Sequence, residues 1–258
     1  LFDFKHEKVI FLDEIYKIGE QALKKKPDLF EIEISKNKAS DVAIMVYTSG
    51  TTGHPKGVML TNENLIYAIS VGKVYLPSNE NDELFCFLPL CHVYERLTSC
   101  MKPLSDKSTI NFAESMETVF EDIREVSPTL FYGVPRIYEK INSNFNIALS
   151  EATNLSKFIY ERALKTSLKR VEFKMKNKKI PLTLNIRFFM YEFFVFRNLR
   201  RMIGFDRVKR AVTGAAPISP DLVKWFNALG IPLIEGYGMS ETATVMTMND
   251  PENNKVGT

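Results

Sequence analysis

Cysteine is scarce in this sequence, which has three in 258 residues. Cys86, Cys91 and Cys100 do not show the paired spacing of zinc-binding motifs, and His92 beside Cys91 adds too few ligands for a zinc site. The low count also excludes a disulfide-rich scaffold. We therefore predict free, buried thiols.

Long uncharged apolar runs are also missing. No run approaches the roughly 20 residues that a membrane-spanning helix needs, and residues 1–6 do not form the apolar core of a signal peptide. Neither sign of charge is in large excess. The sequence has 34 Lys and Arg and 31 Asp and Glu, which gives a formal net charge of +3. With 45% apolar residues, the composition excludes disordered and collagen-like chains and predicts a soluble, cytoplasmic globular protein.

Short β-rich runs alternate with helix-like segments along the chain. This rhythm is typical of an α/β fold with largely parallel β-sheets and flanking helices. The helix-like segments include residues 7–34 with a lysine-rich turn, a helix capped near Thr61, and one with Ser219 as N-cap and Gly230 past its end. The β-rich runs are Val42–Tyr47, Leu84–Leu88, Thr129–Tyr132, Ala211–Thr213 and Pro232–Ile234.

Positive charge is concentrated in residues 165–210, which hold 14 Lys and Arg against three acids. Phe189, Phe193 and Phe196 fall at helical spacing among these charges. One interpretation is a solvated helical face over a packed aromatic stripe. The other is a basic amphipathic helix that makes peripheral contact with a membrane.

The strongest chemical signal is the string from Tyr47 to Val58, which reads Tyr-Thr-Ser-Gly-Thr-Thr-Gly-His-Pro-Lys-Gly-Val. Its glycines allow backbone N–H groups to close around phosphate oxygens, its hydroxyls add donors, and its lysine adds charge. It is not a Walker A loop, because Pro55-Lys56-Gly57 replaces the required Gly-Lys-Ser/Thr. We therefore predict a polyphosphate-binding loop at the end of a strand.

This string resembles the phosphate-binding signature of the adenylate-forming enzymes, the family of acyl-CoA synthetases, luciferases and peptide-synthetase adenylation domains. The resemblance implies that the loop binds ATP, that Lys56 also serves catalysis and that Thr48 also contacts Mg²⁺. The ATP-binding residues implied here are Thr48, Ser49, Gly50, Thr51, Thr52, Gly53 and Lys56.

Two later strings resemble further elements of the same family. The first, on a loop after the predicted strand Pro232–Ile234, reads Glu-Gly-Tyr-Gly-Met-Ser-Glu-Thr from residue 235. The resemblance implies that Tyr237 stacks on adenine, Ser240 contacts phosphate, and Glu241 holds magnesium as a catalytic residue. The second, Gly-Ala-Ala-Pro from residue 214, resembles the adenine-pocket loop. The nucleotide-binding residues implied by the two strings are Gly214, Ala215, Ala216, Glu235, Gly236, Tyr237, Gly238 and Ser240.

Two more strings, residues 88–96 and 133–140, resemble the long-chain fatty-acid–CoA ligase branch of the family. The resemblance places His92 near the reacting carboxylate or at the entry of the thiol, as a catalytic candidate. A hydrogen-bonded structural histidine is the alternative. We expect Glu95 and Arg96 to form a structural ion pair.

The resemblance implies ATP-dependent activation of a long-chain fatty acid to an acyl-adenylate, followed by thioester formation with CoA. It implies fatty acid, ATP with Mg²⁺, and CoA as partners, and no nucleic acid. It covers residues 42–258 as the central part of the AMP-binding domain, and residues 1–41 form a peripheral segment of unclear role. Since family members continue into a small mobile domain, we expect a fragment that is inactive alone.

Several alternatives stay open at this point. An acyl-carrier-protein ligase and a ligase for medium-chain or aromatic acids would carry the same motifs. A non-catalytic nucleotide-binding remnant is an alternative of another class. A nucleic-acid- or membrane-binding module is a third, and it depends only on residues 165–210.

Overall fold

The structure is a computed structural model, and it describes residues 9–48, 54–250 and 254–257. Two strands, β1 (Val42–Thr48) and β2 (Lys56–Thr61), form an antiparallel hairpin. Further strands form a six-stranded sheet, and they are β3 (Glu83–Cys86), β4 (Thr109–Phe112), β5 (Leu130–Gly133), β6 (Arg210–Thr213), β7 (Leu233–Met239) and β8 (Thr244–Met248). Their spatial order is β4-β3-β5-β6-β7-β8.

Neighbouring strands of this sheet are parallel except for the antiparallel pair β7 and β8. The predicted α/β class with a largely parallel sheet is confirmed. Helices connect the strands and flank the sheet. They are α1 (Leu12–Lys25), α2 (Leu29–Lys36), α3 (Asn62–Tyr75), α4 (Val93–Arg96), a π-helical turn (Leu97–Met101), α5 (Lys102–Asp106), α6 (Val119–Val126), α7 (Pro135–Glu151), α8 (Asn154–Met175), α9 (Leu182–Tyr191), a second π-helical turn (Glu192–Phe196), α10 (Arg197–Ile203), α11 (Pro220–Ala228) and a 3₁₀ turn (Ser240–Thr242).

Side chains of the sheet are buried on two faces. On β5, Phe131 joins the large aromatic core formed with the helices between β5 and β7, whereas Leu130 and Tyr132 join a smaller cluster on the other face. In the larger core, the Tyr138 hydroxyl donates to the carbonyl oxygen of Val212 at 2.9 Å and so ties α7 to β6. Burial on both faces explains why these strands are nearly continuous apolar runs in the sequence.

Three predicted helical segments are found in the structure, and the caps of two of them lie where the sequence places them. The segment 7–34 contains α1 and most of α2, and neither helix has a buried residue. Thr61 caps α3 through a reciprocal capping box with Asn64. Ser219 occupies the N-cap position of α11, although its side chain makes no capping hydrogen bond there. Gly230 follows that helix with a φ of +82°, a conformation that favours glycine.

The thiol prediction is correct only in part. The three cysteines are free and Cys86 is buried, but Cys91 is exposed and Cys100 is half-buried. Cys91 lies in the segment before α4, where the chain turns at the surface. The expectation of buried thiols is therefore wrong for Cys91.

The aromatic residues of the basic segment do not form one packed stripe. Phe196 is fully buried, whereas Phe189 and Phe193 are exposed. The second π-helical turn explains the difference, because its residues advance by a smaller angle than those of an α-helix and rotate Phe196 toward the core. Within the described ranges, no helix is long and apolar enough to cross a membrane.

Candidate active site

The β1–β2 hairpin carries the first predicted nucleotide segment. Thr48 ends β1 and pairs across the hairpin with Lys56, the first residue of β2. These two residues therefore flank the predicted phosphate loop, and Lys56 is exposed. Ser49, Gly50, Thr51, Thr52 and Gly53 lie outside the described residues, so their role stays a prediction. A strand follows the motif, whereas a helix follows a Walker A loop.

The carboxyl ends of β6 and β7 bring two further predicted segments together. Thr213 on β6 pairs with Glu235 on β7, so the adenine-pocket string lies beside the second motif. A Cβ on Gly214 would lie 2.9 Å from the carbonyl oxygen of Gly236, and only glycine allows this approach without a shift. The next residue, Ala215, has a φ of +68°, which is a strained conformation for a residue with a side chain.

The second motif lies on a strand rather than on the predicted loop. Residues 235–239 continue β7, because β8 supplies a new antiparallel partner where the pairing with β6 ends. Gly238 makes this pairing possible, since a Cβ at that position would lie 1.5 Å from the carbonyl oxygen of Thr244. Tyr237 is exposed on this strand, opposite Thr247.

Ser240 and Glu241 lie in the 3₁₀ turn between β7 and β8. Thr242 closes the turn, because its hydroxyl donates to the carbonyl oxygen of Met239 at 3.0 Å and accepts from the N–H of Met239 at 3.2 Å. Glu241 is exposed at the tip and Ser240 is half-buried. The sequence did not single out Thr242 for a role, although its hydroxyl fixes the direction of its two predicted neighbours.

Glu235 has a structural contact of its own at the edge of the site. Its carboxylate accepts a hydrogen bond from the N–H of Gly257 at 3.0 Å, and its carbonyl oxygen accepts one from the N–H of Asn249 at 2.9 Å. These bonds join β7 to the segment after β8. Glu235 therefore has a role in local structure in addition to its predicted part in nucleotide binding.

One hydrophobic cluster holds the separate segments in place. We call it the junction cluster, and its buried members are Ile44, Val46, Leu60, Leu65, Val93, Leu97 and Ala243. They come from the hairpin, from α3, from α4 with its π-helical turn, and from the residue after Ser240–Thr242. The 3₁₀ turn also packs directly against β2. Lys56, His92 and Glu241 are thus each attached to elements that share one core.

His92 occupies the N-cap position of α4 and is exposed, and its N–H donates to the carbonyl oxygen of Pro89 at 3.0 Å. Its side chain makes no capping hydrogen bond. The assignment of His92 stays a prediction.

Glu95 and Arg96 bind different partners, so the predicted ion pair is wrong. Glu95 is buried, and its carboxylate accepts from the Ser99 hydroxyl at 2.8 Å. Arg96 instead donates from Nε to the carbonyl oxygen of Leu90 at 3.0 Å. They diverge because adjacent residues on a helix point in different directions. Burial raises the pKa of Glu95, and its hydrogen bonds oppose that rise only in part.

A cavity of about 750 Å³ opens beside the 3₁₀ turn, between α3, α4 with its π-helical turn, and β8. Its wall is mostly apolar and includes Gly72, Leu97, Val212 and Met248. Lys102 also lines it, but its ammonium binds the Asp106 carboxylate at 2.6 Å and the carbonyl oxygen of Leu76 at 2.9 Å. A volume of this size is typical of small-molecule sites. The sequence did not reveal this cavity, because the apolar residues of α3 have the spacing of a helix that packs against a core.

The predicted magnesium ligands are compatible with the chemistry of that ion. Mg²⁺ prefers hard oxygen donors and is commonly held by one or two carboxylates together with substrate phosphates and water. Glu241 supplies an exposed carboxylate on a turn that packs against β2, the strand that begins at Lys56. Within the described ranges there is no group of three His, Cys, Asp or Glu that could hold a metal by itself.

A family model matches almost the whole sequence. A model described as AMP-binding enzyme matches residues 4–258. The chain belongs to the AMP-binding enzyme family. Among the relatives of the chain, long-chain-fatty-acid–CoA ligase ACSBG2 of Gallus gallus is 34% identical over 226 residues, which cover 85% of the chain and 29% of that protein. The chain spans about a third of the length of the curated relatives it matches.

Solved structures agree on the fold. A benzoate CoA ligase from Burkholderia xenovorans LB400 matches the chain with a TM-score of 0.57 at 21% identity, over 87% of the chain and 35% of that protein. O-succinylbenzoate coenzyme A synthetase (MenE) from Bacillus subtilis, in complex with ATP and magnesium ion, matches with a TM-score of 0.54 at 19% identity, over 84% and 34%. The fold is therefore that of the acyl-CoA synthetase-like adenylate-forming enzymes. The division at residue 42 stays a prediction.

Proposed function

We propose that the chain contributes the nucleotide and acyl sites of a ligase that activates a long-chain fatty acid with ATP and then transfers the acyl group to CoA. The observation that carries the proposal is the position of the cavity. Thr242 and Thr244 line it, so it begins next to Ser240 and Glu241. An acyl chain in this cavity would present its carboxylate to a nucleotide held at the ends of β6 and β7.

In this proposal the first step is attack of the fatty carboxylate on the α-phosphorus of ATP, which releases pyrophosphate. The chain's residues align the reactants and neutralise charge. Lys56 and the hydroxyls of the loop before it bind phosphates, Tyr237 stacks on adenine, and Gly214–Ala216 let the base approach the backbone. Magnesium at Glu241 and Thr48 would supply further positive charge. CoA then displaces AMP, with His92 near the reacting carbonyl.

The experiment is an assay of pyrophosphate release with ATP, Mg²⁺ and palmitate, followed by an assay of acyl-CoA. This assay and all kinetic tests below use a full-length protein that contains this sequence. We expect pyrophosphate release only when the acid is present, and palmitoyl-CoA only when CoA is added. ATP binding with no acid-dependent release would instead support a non-catalytic nucleotide-binding protein. Octanoate and benzoate in place of palmitate, and acyl-carrier protein in place of CoA, separate the remaining alternatives.

The cavity allows a test of chain length. Gly72 lies on its wall, and a Cβ there would meet nothing within 4 Å, so a larger side chain would enter open space without a clash. We expect Gly72→Leu to lower kcat/KM for palmitate by about tenfold or more while that for octanoate changes little.

Gly19→Leu is the matched control for Gly72→Leu, because Gly19 is also a helical glycine with open space around it and lies on α1, away from the cavity. Its kinetics should equal those of the unmodified protein. A parallel loss for palmitate and octanoate in Gly72→Leu would contradict the assignment of the cavity to the acyl chain.

Tyr237 and Glu241 are expected to differ in their effects. Tyr237→Ala removes an exposed aromatic surface and should raise the KM for ATP by roughly tenfold, since aromatic stacking on a base contributes about 1–3 kcal/mol. Glu241→Gln removes a hard anionic ligand and should instead raise the Mg²⁺ concentration needed for half-maximal rate. Titrations of ATP and of Mg²⁺ on both variants distinguish the roles. An identical loss without any change in magnesium requirement would refute the division.

A further inference from the structure

Residues 182–203 form one continuous helix of α9, the second π-helical turn and α10, and this helix has two apolar faces. The inner face places Phe188 and Phe196 in the aromatic core. We call the other the outer face, and Phe193 and Phe194 on it are 63% and 68% exposed. Its exposed members are Leu182, Ile186, Phe189, Met190, Phe193 and Phe194. Exposed apolar patches of this kind mark interaction sites.

The inner contacts hold this helix firmly. Arg200 makes a bidentate ion pair with Glu192, with its Nη1 at 2.9 Å from Oε2, and the same nitrogen donates to the carbonyl oxygen of Leu229 at 2.7 Å. The guanidinium of Arg170 lies 4.1 Å from the centre of the Phe188 ring. The outer face is thus presented by an anchored helix and is not the result of loose packing.

The unpaired charges on this helix have one sign. The helix has four arginines and one glutamate, and that glutamate is paired with Arg200. Arg187, Arg197 and Arg201 are exposed. Arg197 and Arg201 follow Phe193 at intervals of four residues, so cations continue the line of the exposed aromatic residues.

The apolar surface extends beyond this helix. Phe194 lines a groove of about 330 Å³ together with Ile159 of α8 and Met202 of α10. Ile159 and Met202 are themselves exposed. In the same region, the guanidinium of Arg162 lies 4.9 Å from the centre of the Phe158 ring, so the extension also combines an aromatic residue with a cation.

We propose that the outer face docks on an anionic lipid bilayer, with the helix lying in the plane of the headgroups. Phenylalanine, methionine and leucine on a projecting face suit the acyl region, and the arginines suit anionic headgroups. A second copy of the chain fits less well, because pairing two outer faces would bring one arginine-rich rim against another.

The test is co-sedimentation of the full chain with vesicles of phosphatidylcholine containing about 30% phosphatidylserine, compared with phosphatidylcholine alone. We expect binding to the anionic vesicles that weakens as salt is raised. Phe193→Ser combined with Phe194→Ser should weaken binding by roughly 30-fold or more, because two phenylalanines no longer enter the acyl region. Arg197→Gln combined with Arg201→Gln should weaken it by roughly 10- to 30-fold.

Phe30→Ser combined with Phe112→Ser is the matched control, because these phenylalanines are 64% and 61% exposed and lie on α2 and β4. It should bind like the unmodified chain, and circular dichroism should be unchanged in all variants. The proposal is overturned if the chain does not bind the anionic vesicles, or if the Phe193/Phe194 variant binds as the control does. A variant that only dissociates a dimer, without effect on vesicle binding, would also overturn it.

Discussion

Gly238→Ala is expected to destabilise the chain by at least about 3 kcal/mol. A Cβ at this position would lie 1.5 Å from the carbonyl oxygen of Thr244, so a backbone atom and not a flexible side chain has to move. The shift would separate β7 from β8 where Tyr237, Ser240 and Glu241 are placed. We therefore expect nucleotide binding to be lost together with stability, as measured by urea unfolding and by titration with ATP.

Gly236→Ala provides the matched control two residues earlier on the same strand. A Cβ there would meet its nearest atom at 3.8 Å, which is an ordinary contact. We expect its free energy of unfolding to stay within about 1 kcal/mol of the unmodified chain. Equal stability of the two alanine variants would contradict the close approach of β7 and β8 at Gly238.

Lys56→Ala is expected to reduce kcat/KM for ATP by about 100- to 1000-fold, the loss that commonly follows removal of one group aligned with developing charge. Lys56 begins β2 directly across from Thr48, and the phosphate loop joins these two positions. Its ammonium would neutralise phosphate oxygens during attack by the carboxylate. The measurement is steady-state pyrophosphate release at varied ATP concentration.

Two further variants serve as controls for the Lys56→Ala result. Lys56→Arg keeps the charge but not the compact geometry of an ammonium, so we expect partial recovery. Lys25→Ala removes an exposed lysine from α1, a helix without buried residues, and should leave the kinetics unchanged. Unaltered ATP kinetics in Lys56→Ala would exclude this lysine from the site.

The sequence predicted the elements whose signals are local. Thr61 before α3, and Ser219 with Pro220 before α11, are cap patterns that act within one turn of helix. The strand runs of the sheet are recognisable because burial on both faces demands apolar residues at nearly every position. The glycines of the two nucleotide motifs were found through the family resemblance, and the structure adds the physical reason, since close backbone approach at Gly214 and Gly238 excludes any side chain.

What the sequence could not predict depends on partners that are distant along the chain. The strand character of residues 235–239 arises from pairing with β8, whose Thr-Val-Met-Thr-Met sequence has three β-branched residues in five and was a usable strand signal. The cavity exists only because α3 and β8 stand apart over the sheet. The inward rotation of Phe196 depends on one π-helical turn, which a fixed period of 3.6 residues does not anticipate.

The thiols of Cys86 and Cys91 differ sharply in their chemistry. Burial, with help from Glu95, raises the pKa of the Cys86 thiol to about 12, so it stays protonated and sheltered, whereas Cys91 is exposed. An alkylating reagent should therefore modify Cys91 at once and reach Cys86 only when α4 and the π-helical turn after it separate from β3. The ratio of the two labelling rates would therefore measure how often the candidate active site opens locally, with no attached dye.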